Sequence, residues 1–185
     1  MLQKLDLDRT LNKNNIDENI QTYISLLKEI DINISCSNLS VFLNKLKRDP
    51  IGKGPYKDVS LFEASNRIMT DLVILSGVKE LLEGKHKDIC FTEYIVEYGN
   101  ENKNKHDIIV KENEEIVLKG EAFNVAESFF KNKKRSSLKK LKETENKDIK
   151  LILLYNEEVT KQNEPEKQGN VYYIKVNIDE VLSGI

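Results

Sequence analysis

Asp107 and Glu121 are the residues on which chemistry could be built. Asp107 stands near the head of HDIIVK (106–111) and Glu121 near the end of EIVLKGEAF (115–123). Both runs are rich in β-branched residues, and a short polar turn at 112–114 joins them, so they read as a β-hairpin. The turn lies midway between the two acids, and the hairpin brings their carboxylates toward each other. Carboxylates held close repel unless a cation sits between them. Hard oxygen ligands favour Mg²⁺, which takes one or two carboxylates together with water and substrate phosphate. Such an ion polarises a phosphodiester and supplies hydroxide near neutral pH.

Side chains two apart on a strand share a face. Lys119, Glu121 and Phe123 therefore look one way, while Ile116, Leu118 and Ala122 look the other. A third acid lies on a long helical run from Ser60 to about Glu83, SLFEASNRIMTDLVILSGVKELLE, stopped by Gly84. At 100° per residue, Asn66, Arg67 and Thr70 fall within about 60° of Glu63, a polar stripe on an otherwise apolar helix. Buried polar groups need partners, and a site at the sheet edge would provide them. Ser60 and Glu63 also spell a capping box, which accounts for Glu63 without any site.

The run KNKKRSSLKK (131–140) is strongly basic. It reads either as a solvated helix face or as a phosphate contact. Lys53 and Lys57, in the loop DPIGKGPYKD, form a second candidate contact. GKGP lacks the spacing of a phosphate-binding Walker loop. His86 and His106 are isolated, without the paired spacing of a zinc hydrolase, and no G-x-S-x-G elbow is present.

The elements that must position these residues follow from periodicity. Residues 15–31 and 37–48 carry apolar residues at helical spacing, the second with a serine before it and basic residues at its end. The loop 49–58, with two prolines and two glycines, marks a boundary between an N-terminal helical region (1–55) and a mixed-sheet core (56–185), most simply one domain overall. Strands are expected over 89–98, 106–111 and 115–123, a helix over 125–143, strands over 149–155 and 171–176, and a short helix from Asn177. A meander of three strands followed by helix and strand gives a mixed sheet flanked by helices.

The chain has 185 residues, 39% apolar and 32% charged, with net charge −2, which reads as a globular protein. Cys36 and Cys90 make no disulfide framework and no CxxC pair. MLQKLDLDRT lacks the apolar core of a signal peptide, and no run approaches the ~18 apolar residues of a membrane span. The expected location is the cytoplasm.

In their order along the chain these features resemble the PD-(D/E)xK nuclease superfamily. Its core runs α-β-β-β-α-β, with a Glu on the first core helix, an Asp on the second strand and (D/E)xK on the third. The likeness covers about residues 60–155 and rests on the placement of Glu63, Asp107 (in KHDIIV) and Glu121 (in KGEAFNV). It implies an α/β (α+β) mixed sheet with a restriction-endonuclease-like core behind an N-terminal helical hairpin. It further implies a metal-dependent DNA endonuclease, similar in size to small type II restriction enzymes. Glu63, Asp107 and Glu121 would hold Mg²⁺, with Mn²⁺ able to substitute. The substrate would be double-stranded DNA, and the enzyme a homodimer, because one active centre serves one strand.

One position departs from the pattern. The family lysine, two residues after Glu121, is Phe123. The resemblance then draws its cation from the following helix, where Lys131, Lys133, Lys134 and Arg135 stand, with Lys133 as catalytic candidate; Lys119 is an alternative, and Asn124 could instead help hold a water. Read the other way, Phe123 makes the chain a nuclease-like fold without chemistry, serving as a DNA-binding or assembly module.

Overall fold

The computed structural model describes residues 7–99, 104–143, 148–160 and 165–183. Part of the charged loop expected before the last strand, 161–164, lies outside the described residues. Seven strands form one mixed sheet: β1 (Thr10–Asn12), β2 (Glu93–Val96), β3 (Ile108–Glu112), β4 (Glu115–Phe123), β5 (Lys150–Asn156), β6 (Lys167–Gln168) and β7 (Val171–Val176). Their spatial order is β1-β2-β3-β4-β5-β7-β6. The pairs from β1 to β4 are antiparallel, whereas β4–β5 and β5–β7 are parallel. A parallel neighbour cannot be reached by a tight turn and needs a crossover. Helix α4 (Phe130–Leu141) supplies the one from β4 to β5.

The β3–β4 hairpin turns on Asn113 and Glu114, both with positive φ (49° and 66°). That is the backbone hand a two-residue hairpin loop requires. Its register sets Ile109 against Lys119 and Ile108 against Gly120, and one step further brings Asp107 opposite Glu121. Gly120 has a packing reason: a Cβ there would lie 2.6 Å from the Ile152 side chain. The strand next to the acid therefore sits close against β5.

Each face of the sheet carries its own core. On one face Val96, Ile108, Leu118, Ala122, Ile152 and Leu154 pack against α3 (Leu61–Leu82), which in turn packs against α1 (Ile16–Lys28) through Ile20, Tyr23, Ile24 and Leu27. On the other face Phe123, Leu153, Tyr155 and Tyr173 meet Phe130 and Leu141 of α4. The alternation along β4 thus sends Ala122 to α3 and Phe123 to α4. Helix α2 (Leu39–Arg48) has no fully buried residue, and Leu39 and Leu43 are exposed. Among the described residues no helix is long and apolar enough to cross a membrane.

Several boundaries differ from the sequence expectation. The strand expected over 89–98 is confined to β2. Tyr94 Oη donates to the Ile89 carbonyl and accepts the Phe91 N–H at 3.1 Å, folding the preceding segment back as a single 3-10 turn. The helix expected over 125–143 starts only at Phe130, after another 3-10 turn. Helix α2 is capped by Asn38, whose side chain accepts from the Val41 N–H at 3.0 Å, rather than by a serine. Strands β1 and β6, three and two residues long, are too short to show a period. The short C-terminal helix is α5 (Asp179–Leu182).

Candidate active site

Where β2 and β4 leave the sheet and β3 enters it, a cavity of about 460 Å³ opens between α3 and α4. Glu63, Asp107, Glu121 and Lys133 all line it, as do Asn66, Arg67, Thr70 and Asn124. The sequence candidates for the acids and the catalytic lysine are thus brought together. Lys119, buried on the same face of β4 as Glu121, is not among the lining residues. Lys131 and Arg135 are exposed on α4, and Lys134 lies 4.6 Å over the Tyr173 ring. Lys53 and Lys57 lie in the loop between α2 and α3, outside the cavity lining.

Glu121 is 5% exposed at its side chain. It meets His106 Nδ1 at 2.9 Å through Oε1, and Lys140 Nζ stands 2.8 Å from both carboxylate oxygens. Across the hairpin, Asp107 Oδ2 accepts the Ala122 N–H at 2.8 Å. Burial, and then the charge of Glu121, push the Asp107 carboxyl up to about 6, against the Ala122 N–H, Lys140 and Lys133. Asp107 thus feels the charge of Glu121 across the hairpin.

The Ser60 side chain caps α3 by accepting the Glu63 N–H at 3.3 Å. The carboxylate of Glu63 does not complete a capping box but pairs with Arg67 one turn on. Arg67 also stacks over the Tyr56 ring at 5.5 Å, and its Nε is buried without a hydrogen-bond partner among the described residues. The polar stripe on α3 therefore forms one wall of the cavity.

Sequence reasoning missed four participants. Lys140, not Lys133, makes the contact with Glu121; it lies seven residues beyond Lys133, on the same helical face, and that spacing could have singled it out. His106 immediately precedes Asp107, and nothing local marked it as a partner of Glu121. Glu97 is buried and lines the cavity; its N–H donates to the Asp107 carbonyl at 2.9 Å, putting Glu97, Asp107 and Glu121 in one row across three strands. Asp71, fully buried on α3, accepts from Tyr23 Oη at 2.7 Å, from Tyr56 Oη, and from the Gly99 N–H at 3.1 Å. Burial pushes its carboxyl up to about 7, against those three hydrogen bonds.

Phe123 has a structural task. Its ring stacks on Tyr155 at 5.7 Å and meets Phe130 at 6.0 Å, inside the α4-side core. A lysine there would remove that ring from the cluster, at a position that also lines the cavity.

The cavity wall carries five carboxylates, Glu63, Asp71, Glu97, Asp107 and Glu121, against the three cations Arg67, Lys133 and Lys140. Such an excess of hard oxygen donors suits a divalent cation that keeps waters. Among the described residues no group of three or more His, Cys, Asp or Glu side chains is gathered closely enough to hold a metal ion by protein ligands alone. No family model, curated protein or solved structure matches this chain.

Proposed function

We propose that this chain is a metal-dependent endonuclease of the PD-(D/E)xK type, hydrolysing phosphodiester bonds of double-stranded DNA. The observation that carries the reading is the pair of carboxylates Asp107 and Glu121, brought together by the β3–β4 hairpin in an acid-rich cavity that Lys140 and Lys133 also line. The element order α3-β2-β3-β4-α4-β5 supports it, since it repeats the αβββαβ order of that superfamily. Asp107 and Glu121 are the residues that would hold Mg²⁺ or Mn²⁺ together with water, while Glu63, paired with Arg67, is a further acid of the same cavity wall. Bound there, the ion supplies Lewis-acid polarisation of the phosphoryl group and hydroxide near neutral pH.

The chain's own residues do the rest. His106 fixes the rotamer of Glu121 from the buried side. Lys140 stands in for the motif lysine and offsets phosphate charge from the other. Lys133, with the exposed Lys131 and Arg135, extends a cationic path along α4 toward the DNA backbone. Cutting both strands of a symmetric site calls for a homodimer.

Incubation of plasmid DNA with the protein and Mg²⁺ or Mn²⁺ tests the reading. Cleavage that disappears in Asp107→Asn and Glu121→Gln is the expected result. No cleavage of varied DNA sequences, together with no calorimetric Mn²⁺ binding, overturns it. Phe123 and the full engagement of Glu121 by His106 and Lys140 favour one other reading, a nuclease-like module without chemistry. It is distinguished by DNA binding without cleavage.

A further inference from the structure

Glu121 is held from two directions by groups of very different freedom. His106 is 4% exposed, does not line the cavity, and reaches Oε1 from within the protein. Lys140 lines the cavity, is 39% exposed, and lies 2.8 Å from both oxygens at the end of a four-carbon stem. A buried carboxylate needs a compensating positive charge, and on the cavity side Lys140 provides it. Lys133, the other lysine of that wall, sits 6.0 Å over the Phe123 ring instead.

A divalent ion between Asp107 and Glu121 would need the same cavity-side oxygens. Two cations on one carboxylate end repel strongly where water is scarce. Of the two groups already on Glu121, only the lysine has the stem and exposure to withdraw. Its place in the last turn of α4 gives the displaced ammonium a favourable position near the helix C-terminus.

We propose that Lys140 is an exchangeable counter-ion: entry of the divalent cation displaces its ammonium from Glu121 and frees it for the phosphate of the substrate. Metal arrival and phosphate binding are then one coupled event, and Lys140 keeps the acid neutralised until the ion comes. This rests on the nuclease reading above.

Calorimetric titration of the full chain with Mn²⁺ tests it in the wild type, Lys140→Gln, Lys140→Arg and Asp107→Asn. Removing the competing charge tightens Mn²⁺ binding in Lys140→Gln by about tenfold, a common size for coupling between sites. Lys140→Arg, whose planar fork holds a carboxylate more firmly, weakens it. Inorganic phosphate binds the wild type more tightly with Mn²⁺ present than without, and Lys140→Gln loses that enhancement. Equal Mn²⁺ affinities in wild type and both Lys140 variants, with Asp107→Asn still abolishing binding, overturn the exchange and leave the metal site standing. Absence of Mn²⁺ binding from wild type and Lys140 variants alike overturns the nuclease reading and the exchange together.

Discussion

The carboxylate of Asp107 accepts the backbone N–H of Ala122 at 2.8 Å, tying the acid at the head of β3 to the strand that carries Glu121. The hairpin thereby fixes the spacing of the two carboxylates through its own main chain, independently of any ligand. That bond separates charge from architecture. Asp107→Asn retains an oxygen for the Ala122 N–H and loses only the charge. The variant is expected to fold with an unchanged circular dichroism spectrum. Its Mn²⁺ affinity should drop by at least the roughly 10–100-fold that loss of a mere supporting partner costs at metal sites. Calorimetry on wild type and variant decides it, and undiminished binding removes Asp107 from the site.

Phe123 gives a prediction of the opposite kind. Its ring is buried between Phe130 and Tyr155, so truncation opens a cavity in the α4-side core. Phe123→Ala should cost about 3–5 kcal/mol in guanidinium unfolding. Phe123→Lys, which restores the superfamily's letter, should destabilise comparably and bring no gain in cleavage. A stable Phe123→Lys that cuts faster than wild type would show that the aromatic cluster is dispensable and that Lys140 does not fill the role.

How much of this was legible in the sequence differs by element. Strand β4 and strand β7 were readable to the residue, because β-branched runs bounded by turn residues leave little choice of end. The approach of Asp107 to Glu121 was legible as a hairpin but not as a register: the turn alone would set Asp107 opposite Gly120, and an irregularity between Val110 and Lys111 shifts the pairing by one residue. Lys140 was hidden inside a basic run, where only its seven-residue spacing from Lys133 on one helical face marks it out from its neighbours. Asp71 was hidden for another reason. Its partners, Tyr23 and Tyr56, come from α1 and from the loop before α3, and only the packing of α1 on α3 brings them to one carboxylate. The resemblance to nucleases spoke to residues 60–155 and said nothing of β1, which extends the sheet beside β2.

Asp71 carries a pH prediction. Among the described residues no cation is in hydrogen-bonding contact with its buried carboxyl: Tyr23, Tyr56 and the Gly99 N–H donate to it, Arg67 lies over the Tyr56 ring, and the charge of Asp107 opposes it. With the folded-state value raised to about 7, folding favours the protonated form. The cost of ionising Asp71 is absent below the ordinary carboxylate range, grows as pH rises toward 7, and is fully present above it. Thermal stability of the wild type should therefore fall between about pH 4 and pH 7 through this group. Asp71→Asn should flatten that part of the profile whatever its absolute stability. An identical slope in both proteins would mean that Asp71 is ionised throughout, held by its three donors.

Arg67 and Lys133 face each other's side of the cavity, one from α3 and one from α4, and both are expected to meet DNA phosphate. Arg67 has its Nη2 on Glu63 and its face on Tyr56, and of its five N–H donors the buried Nε has no partner among the described residues. An acceptor oxygen from the substrate would satisfy it, because a buried donor without a partner is costly. Removing one cation from the phosphate backbone should lower the slope of log K against log salt by about 0.9 on duplex DNA. Arg67→Met and Lys133→Gln should each show that change, with the affinity loss spread evenly over DNA sequences rather than confined to one site. Fluorescence anisotropy across a salt series, with Ca²⁺ in place of Mg²⁺ to hold back cleavage, measures it. A slope unchanged in Lys133→Gln takes α4 out of the DNA interface, and a slope unchanged in Arg67→Met leaves the α3 wall as a purely structural support for Glu63.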